Sequence, residues 1–217
     1  DVVIGTMNTV SSATGDATIL AKQGITLSNS TVTGNKVHLE TGAAFEETSS
    51  SVNINRGQIN GTQHTAVISS GDIWVDSPDT VSVRSAGNVY LQAGKNLTFT
   101  GGTDATAGNH FTAVAGDALQ LRGVSGATAQ TSKKVSITSG GDTTLSGGSV
   151  WLHGSSVKAS GGIDIEASKS HALLYALPNQ NSSAHAAVNL EAAKDINISA
   201  YSDGIFAQGL NASGENV

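Results

Sequence analysis

The sequence predicts an all-β protein built as a solenoid of short strands, and three observations predict it. The first is the run over residues 72–99, where apolar pairs fall at Ile73/Val75, Val81/Val83, Val89/Leu91 and Leu97/Phe99, their first members eight residues apart. Each pair flanks one outward residue, the period of two of a strand with one buried face. The second is the turn chemistry between the pairs: Asp76-Ser77-Pro78-Asp79, Ser85-Ala86-Gly87-Asn88 and Ala93-Gly94-Lys95-Asn96. The third is composition. Only 13% of residues are charged, about half the usual quarter. With so many β-branched residues, that opposes both disorder and a helical protein with a 3.6-residue pattern. Short strands and tight turns at fixed spacing make a stack in which each rung buries its apolar face against its neighbours.

The strand pattern continues along the chain. Candidate strands cover 24–27, 36–40, 51–55, 66–69, 110–114, 118–121, 134–137, 149–153, 163–166, 187–191 and 195–199. Most contain an apolar–x–apolar pair, as in Ile25/Leu27, Val37/Leu39, Val52/Ile54, Leu119/Leu121, Val150/Leu152 and Ile196/Ile198. Gly and Asn, which take turn conformations at little cost, gather between them, as at Gly34-Asn35, Gly140-Gly141 and Gly161-Gly162. Residues 43–50 and 168–186 lack the pairing, and 101–110 and 123–133 weaken it; all four read as loops. The stretch 168–186, with Pro178 and an apolar knot at Leu173, Leu174, Tyr175 and Leu177, reads as a loop excursion, either folded back over part of the core or protruding to contact a partner. At roughly 20 residues per rung, residues 1–217 form one domain of about ten rungs, a rod on the order of 50 Å long at about 4.8 Å per rung.

Several function classes lose support at this point. A formal net charge of −6, with Lys133-Lys134 the only adjacent basic pair, gives no basic patch for nucleic acid. No stretch approaches the roughly 20 apolar residues of a membrane helix. The absence of cysteine excludes a disulfide scaffold. His38, His64, His110, His153, His171 and His185 show no i, i+4 pairing that would suggest a metal site. Gly101-Gly102 and Gly140-Gly141 lack the Lys-Ser/Thr of a phosphate loop, and Asp72, Asp104, Asp117 and Asp142 are isolated rather than set in calcium-binding repeats. No cofactor and no metal is expected. Catalysis on a solenoid would need carboxylates from neighbouring rungs to converge. Asp142, Asp164, Glu166 and Asp195 are the candidates, but alternation with Ile163 and Ile165 turns two of them to solvent. The reading is therefore not an enzyme.

Outward aromatics are the more informative residues. Trp74, Tyr90 and Trp151 each sit at the centre of an apolar–aromatic–apolar triplet and should face away from the core. Trp74 and Tyr90, 16 residues apart, are expected on one face of adjacent rungs. Large exposed aromatics mark contact surfaces, so Trp74, Tyr90 and Trp151, with Leu174 and Tyr175 of the excursion, are the candidate partner-binding residues; the alternative is that the aromatics pack beneath a loop such as 168–186 or against a neighbouring chain. Asn29, Asn60, Asn96, Asn181, Asn197 and Asn211 each begin an Asn-x-Ser/Thr sequence; chance explains most of them in a chain this rich in Asn, Ser and Thr, and glycosylation stays open.

Segments such as Gly87-Asn-Val-Tyr-Leu-Gln-Ala-Gly-Lys-Asn-Leu-Thr-Phe-Thr-Gly-Gly102, Gly161-Gly-Ile-Asp-Ile-Glu-Ala-Ser168 and Leu190-Glu-Ala-Ala-Lys-Asp-Ile-Asn-Ile-Ser-Ala200 resemble the haemagglutinin repeats of filamentous-haemagglutinin-type exoproteins of two-partner secretion. That resemblance implies a right-handed parallel β-helix, carried across the outer membrane of a Gram-negative bacterium by a partner transporter. It also implies a secreted or surface-attached adhesin or contact-dependent growth inhibition exoprotein, whose shaft meets a receptor or glycan on a host or neighbouring cell. The family's secretion domain carries Asn-Pro-Asn motifs. None occurs here, where the only prolines are Pro78 and Pro178, so the expected piece is shaft or receptor-binding region. A chain starting at Asp1, with its single Met at position 7, reads as a segment of something longer. The alternative is a trimeric β-helical spike of a phage tail or type VI secretion apparatus, which the eight-residue spacing also resembles. Irregular spacing outside 73–99 favours the monomer.

Overall fold

The computed structural model describes residues 1–5, 7–42, 50–76, 81–124, 133–176 and 187–217. Within them the chain is all-β, a parallel solenoid of about 8 turns with three faces. The first face is a 9-stranded sheet of Val2–Ile4, Gly24–Ser28, Ser51–Asn55, Asp72–Asp76, Leu97–Thr100, Ala118–Arg122, Ser149–His153, Ala172–Tyr175 and Ile205–Gln208. The second face carries Thr9–Ser11, Val81–Ser85, Thr103–Ala107, Val135–Ser139, Ser155–Ala159, Val188–Ala192 and Leu210–Ser213. The third carries Ala17–Ala21, Asn88–Ala93, Phe111–Ala115, Thr143–Gly147, Ile163–Ala167 and Ile196–Ala200. Two long strands, Thr31–Thr41 and Gln58–Ser69, round the corner between the second and third faces and serve both.

The eight-residue spacing now has a geometric meaning. Ile73 lies on the first face, Val83 on the second and Val89 on the third, and Leu97 returns to pair with Ile73. Eight residues are one face and three faces are one turn. Equivalent residues lie from 20 apart (Val135 and Ser155) to 33 apart (Ala172 and Ile205), so most turns are longer than expected and there are fewer than ten. The surplus falls at corners. Residues 43–49, 125–132 and 177–186, which belong to three of the predicted loops, lie outside the described residues.

Inward positions on all three faces form one continuous core, with Phe99, Phe111, Leu91, Leu97, Leu119 and Leu121 among its largest buried side chains. Burying each is worth roughly 1.5–3 kcal/mol. Volume is balanced within a turn. Phe99 on the first face and Phe111 on the third enclose Thr103, Ala105 and Ala107 on the second, all buried. Here the structure corrects the loop expected at 101–110, because Thr103–Ala107 is a regular strand whose inward residues are small. Ala172–Tyr175 likewise belongs to the first face, pairing with Ser149–His153. The excursion predicted over 168–186 is therefore not one up to residue 176, because Leu174 plugs the core.

One cluster of buried hydroxyls sits at a corner and is satisfied there. The Thr41, Ser50 and Ser69 hydroxyls lie 3.0–3.2 Å from one another, so their burial carries no unpaired-group penalty. At the corner between the third and first faces, successive turns touch backbone to backbone. A Cβ at Gly94 would fall 2.0 Å from the Ser70 carbonyl oxygen, and one at Gly116 2.0 Å from that of Gly94. Only glycine admits that approach.

Candidate contact face

The outward side chains of the first face form three columns along the solenoid. The parallel register runs the middle column through Asn53, Trp74, Thr98, Gln120, Trp151, Leu173 and Phe206. Both tryptophans of the protein thus share one column, separated by Thr98 and Gln120. Three strand steps at about 4.8 Å put their backbones about 14 Å apart. One flanking column passes through Asn55, Asp76, Thr100, Arg122, His153 and Tyr175, and Asp72 and Asn96 stand in the other.

Each part of this face is held from within. Trp74 is 47% exposed. Asp72 accepts hydrogen bonds from the Asn96 backbone N–H (3.1 Å) and from Asn96 Nδ2 (3.0 Å), which sets the Asn96 amide. The Thr100 hydroxyl donates to Asp76. Trp151 is half-buried, its ring 6.3 Å from that of His153 and 5.8 Å from that of His171, and the His153 ring meets Tyr175 edge-on at 5.9 Å. Trp151 Nε1 and His171 Nε2 are buried with no hydrogen-bond partner among the described residues, so ring packing fixes this group. Burial first, then the Arg122 guanidinium, hold the His153 pKa below the ordinary histidine value. Arg122 itself is exposed, and its guanidinium makes no ion pair or hydrogen bond with another described residue.

The five predicted contact residues therefore separate. Trp74 and Trp151 are brought together. Tyr90 is not: it stands on the third face, its hydroxyl donating to Gln92 Oε1 (2.7 Å). Sixteen residues are two faces, not one turn, so the expectation that Tyr90 shares a face with Trp74 fails. Leu174 is 0% exposed and belongs to the core; strand alternation turns it inward while Leu173 and Tyr175 point out. Tyr175 is half-buried on the first face, one column from Trp151. Thr98, Gln120 and Arg122 were missed, since only the register reveals that they lie between and beside the indoles.

The carboxylates considered for catalysis lie on or just before three successive strands of the third face, and three of them are each engaged by a neighbouring N–H group. Asp142 Oδ1 accepts from the Gly162 N–H (2.9 Å), Asp164 Oδ1 from Asn197 Nδ2 (2.9 Å) and Asp195 Oδ1 from Asn216 Nδ2 (2.7 Å). Among the described residues no three His, Asp or Glu side chains gather where they could hold one metal ion. Comparison with known proteins finds no matching family model, no matching curated protein and no matching solved structure.

Proposed function

We propose that this solenoid is a non-catalytic recognition segment of a large bacterial surface exoprotein of the filamentous-haemagglutinin type, and that its first face is the contact surface. The parallel solenoid and the haemagglutinin-like repeats support the family. One observation carries the contact role: both tryptophans stand in one outward column of a rigid sheet, with an unpaired arginine beside them. Exposed aromatics and arginine are the side chains that anchor interfaces, and a stiff rod presents them away from the producing cell. In this reading the chain is exported by an outer-membrane partner transporter, acts outside the cell and meets a receptor or glycan on a host or neighbouring cell.

Attachment of the labelled protein to epithelial and Gram-negative cell surfaces tests this. The wild type should attach, and the Trp74→Ser/Trp151→Ser variant should lose attachment while its circular dichroism stays the same. No attachment by the wild type, or undiminished attachment by the variant, sinks the proposal. The rival reading is an intertwined trimeric spike. Light scattering should give 21.8 kDa, and a detergent-resistant trimer would favour the spike.

A further inference from the structure

Asp72, Trp74, Asn96, Thr98, Gln120 and Arg122 line a shallow depression of about 230 Å³ on the first face. Thr98 forms its floor: alternation points it outward, yet it is only 6% exposed. Trp74 stands at one end. Gln120 lies beyond Thr98 in the same column, and Trp151 follows one strand further on. The polar floor therefore lies between two aromatic rings rather than beside one.

The chemistry of this lining selects a ligand class. A pyranose ring offers an apolar C–H face to an aromatic ring and hydroxyls at its rim. Planar amide, carboxylate and guanidinium groups pair with those rim hydroxyls. Asn96 spends an Nδ2 hydrogen on Asp72 and keeps its carbonyl oxygen as an acceptor. Gln120 supplies another amide. The depression is too shallow to engulf an apolar molecule. Its handful of lining residues is also far fewer than the roughly 20–30 a side of a stable protein interface. Charge narrows the class further. Asp72 and Asp76 both accept hydrogen bonds from neighbours, whereas the Arg122 guanidinium projects to solvent unpaired among the described residues. A net charge of −6 disfavours densely charged polyanions, leaving a ligand with a single carboxylate to meet one guanidinium.

Resting on the contact-face reading above, we infer that the first face binds a short acidic oligosaccharide laid along the solenoid axis, its sugar rings on Trp74 and Trp151 and its carboxylate on Arg122. Such a glycan has two sources: terminal sialic acid on animal cells, or uronic acid in bacterial capsules.

Titration calorimetry with a sialylated pentasaccharide, its asialo counterpart and a uronate-containing capsular hexasaccharide tests the inference. At least one acidic probe should bind, and which one identifies the source. Trp74→Ser and Trp151→Ser should each weaken binding at least tenfold. Arg122→Gln should reduce the acidic probe to the affinity of a neutral one. Tyr90→Ser, on the third face, should change nothing, and the probe should be recovered intact by mass spectrometry. Binding that survives both tryptophan changes overturns the site. Failure of both acidic probes with a wild type that still attaches to cells overturns the glycan inference and leaves the contact reading standing, whereas a wild type that attaches to nothing overturns the reading itself.

Discussion

The first and second faces share one core, one strand spacing and one parallel register, yet their outer surfaces differ in kind. On the second face outward side chains are short or already paired across rungs: Arg84 with Asp104 (2.9 Å), Lys158 with Glu191 (2.6 Å), Asn211 with Asn189 (3.0 Å), and Thr106 and Thr138 in register beside them. On the first face the register aligns Trp74, Gln120 and Trp151 and leaves Arg122 unmatched. A solenoid satisfies its backbone by stacking, so its surface is free to vary. In the proposed reading, contact chemistry belongs to a column rather than to a loop.

The scaffold common to both faces gives the largest expected effect. Phe99→Ala removes one of two fully buried phenylalanines in a turn whose second face contributes only Thr103, Ala105 and Ala107, side chains too short to expand into the gap. Denaturant unfolding should lose about 3–5 kcal/mol. A loss confined to the first face, seen as local hydrogen-exchange opening with the second face still protected, would break the idea of a shared core. Gly116→Ala should follow at about 1–3 kcal/mol, because the added methyl meets a backbone carbonyl rather than a movable side chain.

Moving an indole between faces sharpens the comparison directly. Trp74→Thr combined with Thr106→Trp keeps composition and exposes an indole on the second face instead. Cell attachment should fall about tenfold, or about 1.4 kcal/mol, and not be restored by the transferred ring. Restoration would mean that any exposed tryptophan suffices and that the column carries no information.

Much of this fold is readable from sequence where inward residues are large. Ile73/Val75, Val89/Leu91 and Leu97/Phe99 announce their strands because two large apolar side chains flanking one polar or aromatic residue fit a half-buried strand and little else. Thr103–Ala107 and Ser155–Ala159 do not, because apart from Val157 only threonine, serine and alanine are inward there and no large apolar pair provides that contrast. Small inward residues are compensated by large ones on another face, and that compensation is set by packing across the turn, which no local window contains. The candidate face is only partly legible for a related reason. Outward orientation of Trp74, Trp151 and Tyr90 follows from alternation, but which of them share a column depends on turn length. Insertions at three corners make turn length irregular, so Thr98, Gln120 and Arg122 come into view only with the register.

A subtler difference between the faces is their response to acid. His153 on the first face and His64 on the third have pKa values below the ordinary histidine value, His153 through burial and then Arg122, His64 through burial and then His38 and Lys36. The unfolded chain therefore binds more protons than the folded one below about pH 6.5. Their contribution to stability is present above that pH and is lost as pH falls toward the folded-state values. Unfolding midpoints measured from pH 7.5 to 5 should decline, and His153→Gln should flatten the decline. Arg122→Gln should shift the His153 imidazole resonance titration upward, and an unmoved titration would show that burial alone sets it.

The smallest expected effect lies on the second face. Lys158 and Glu191 form a 2.6 Å ion pair, but both side chains are more than half exposed. Water screens their attraction and ordering two long side chains costs entropy, so such pairs contribute about 0.2–1 kcal/mol. Lys158→Ala should therefore move the denaturation midpoint barely beyond error, and 0.5 M salt should erase even that. Oligosaccharide affinity should stay constant, since Lys158 faces away from the tryptophan column. A large drop in affinity would mean that ligand wraps onto the second face, and the two surfaces would then have to be read as one.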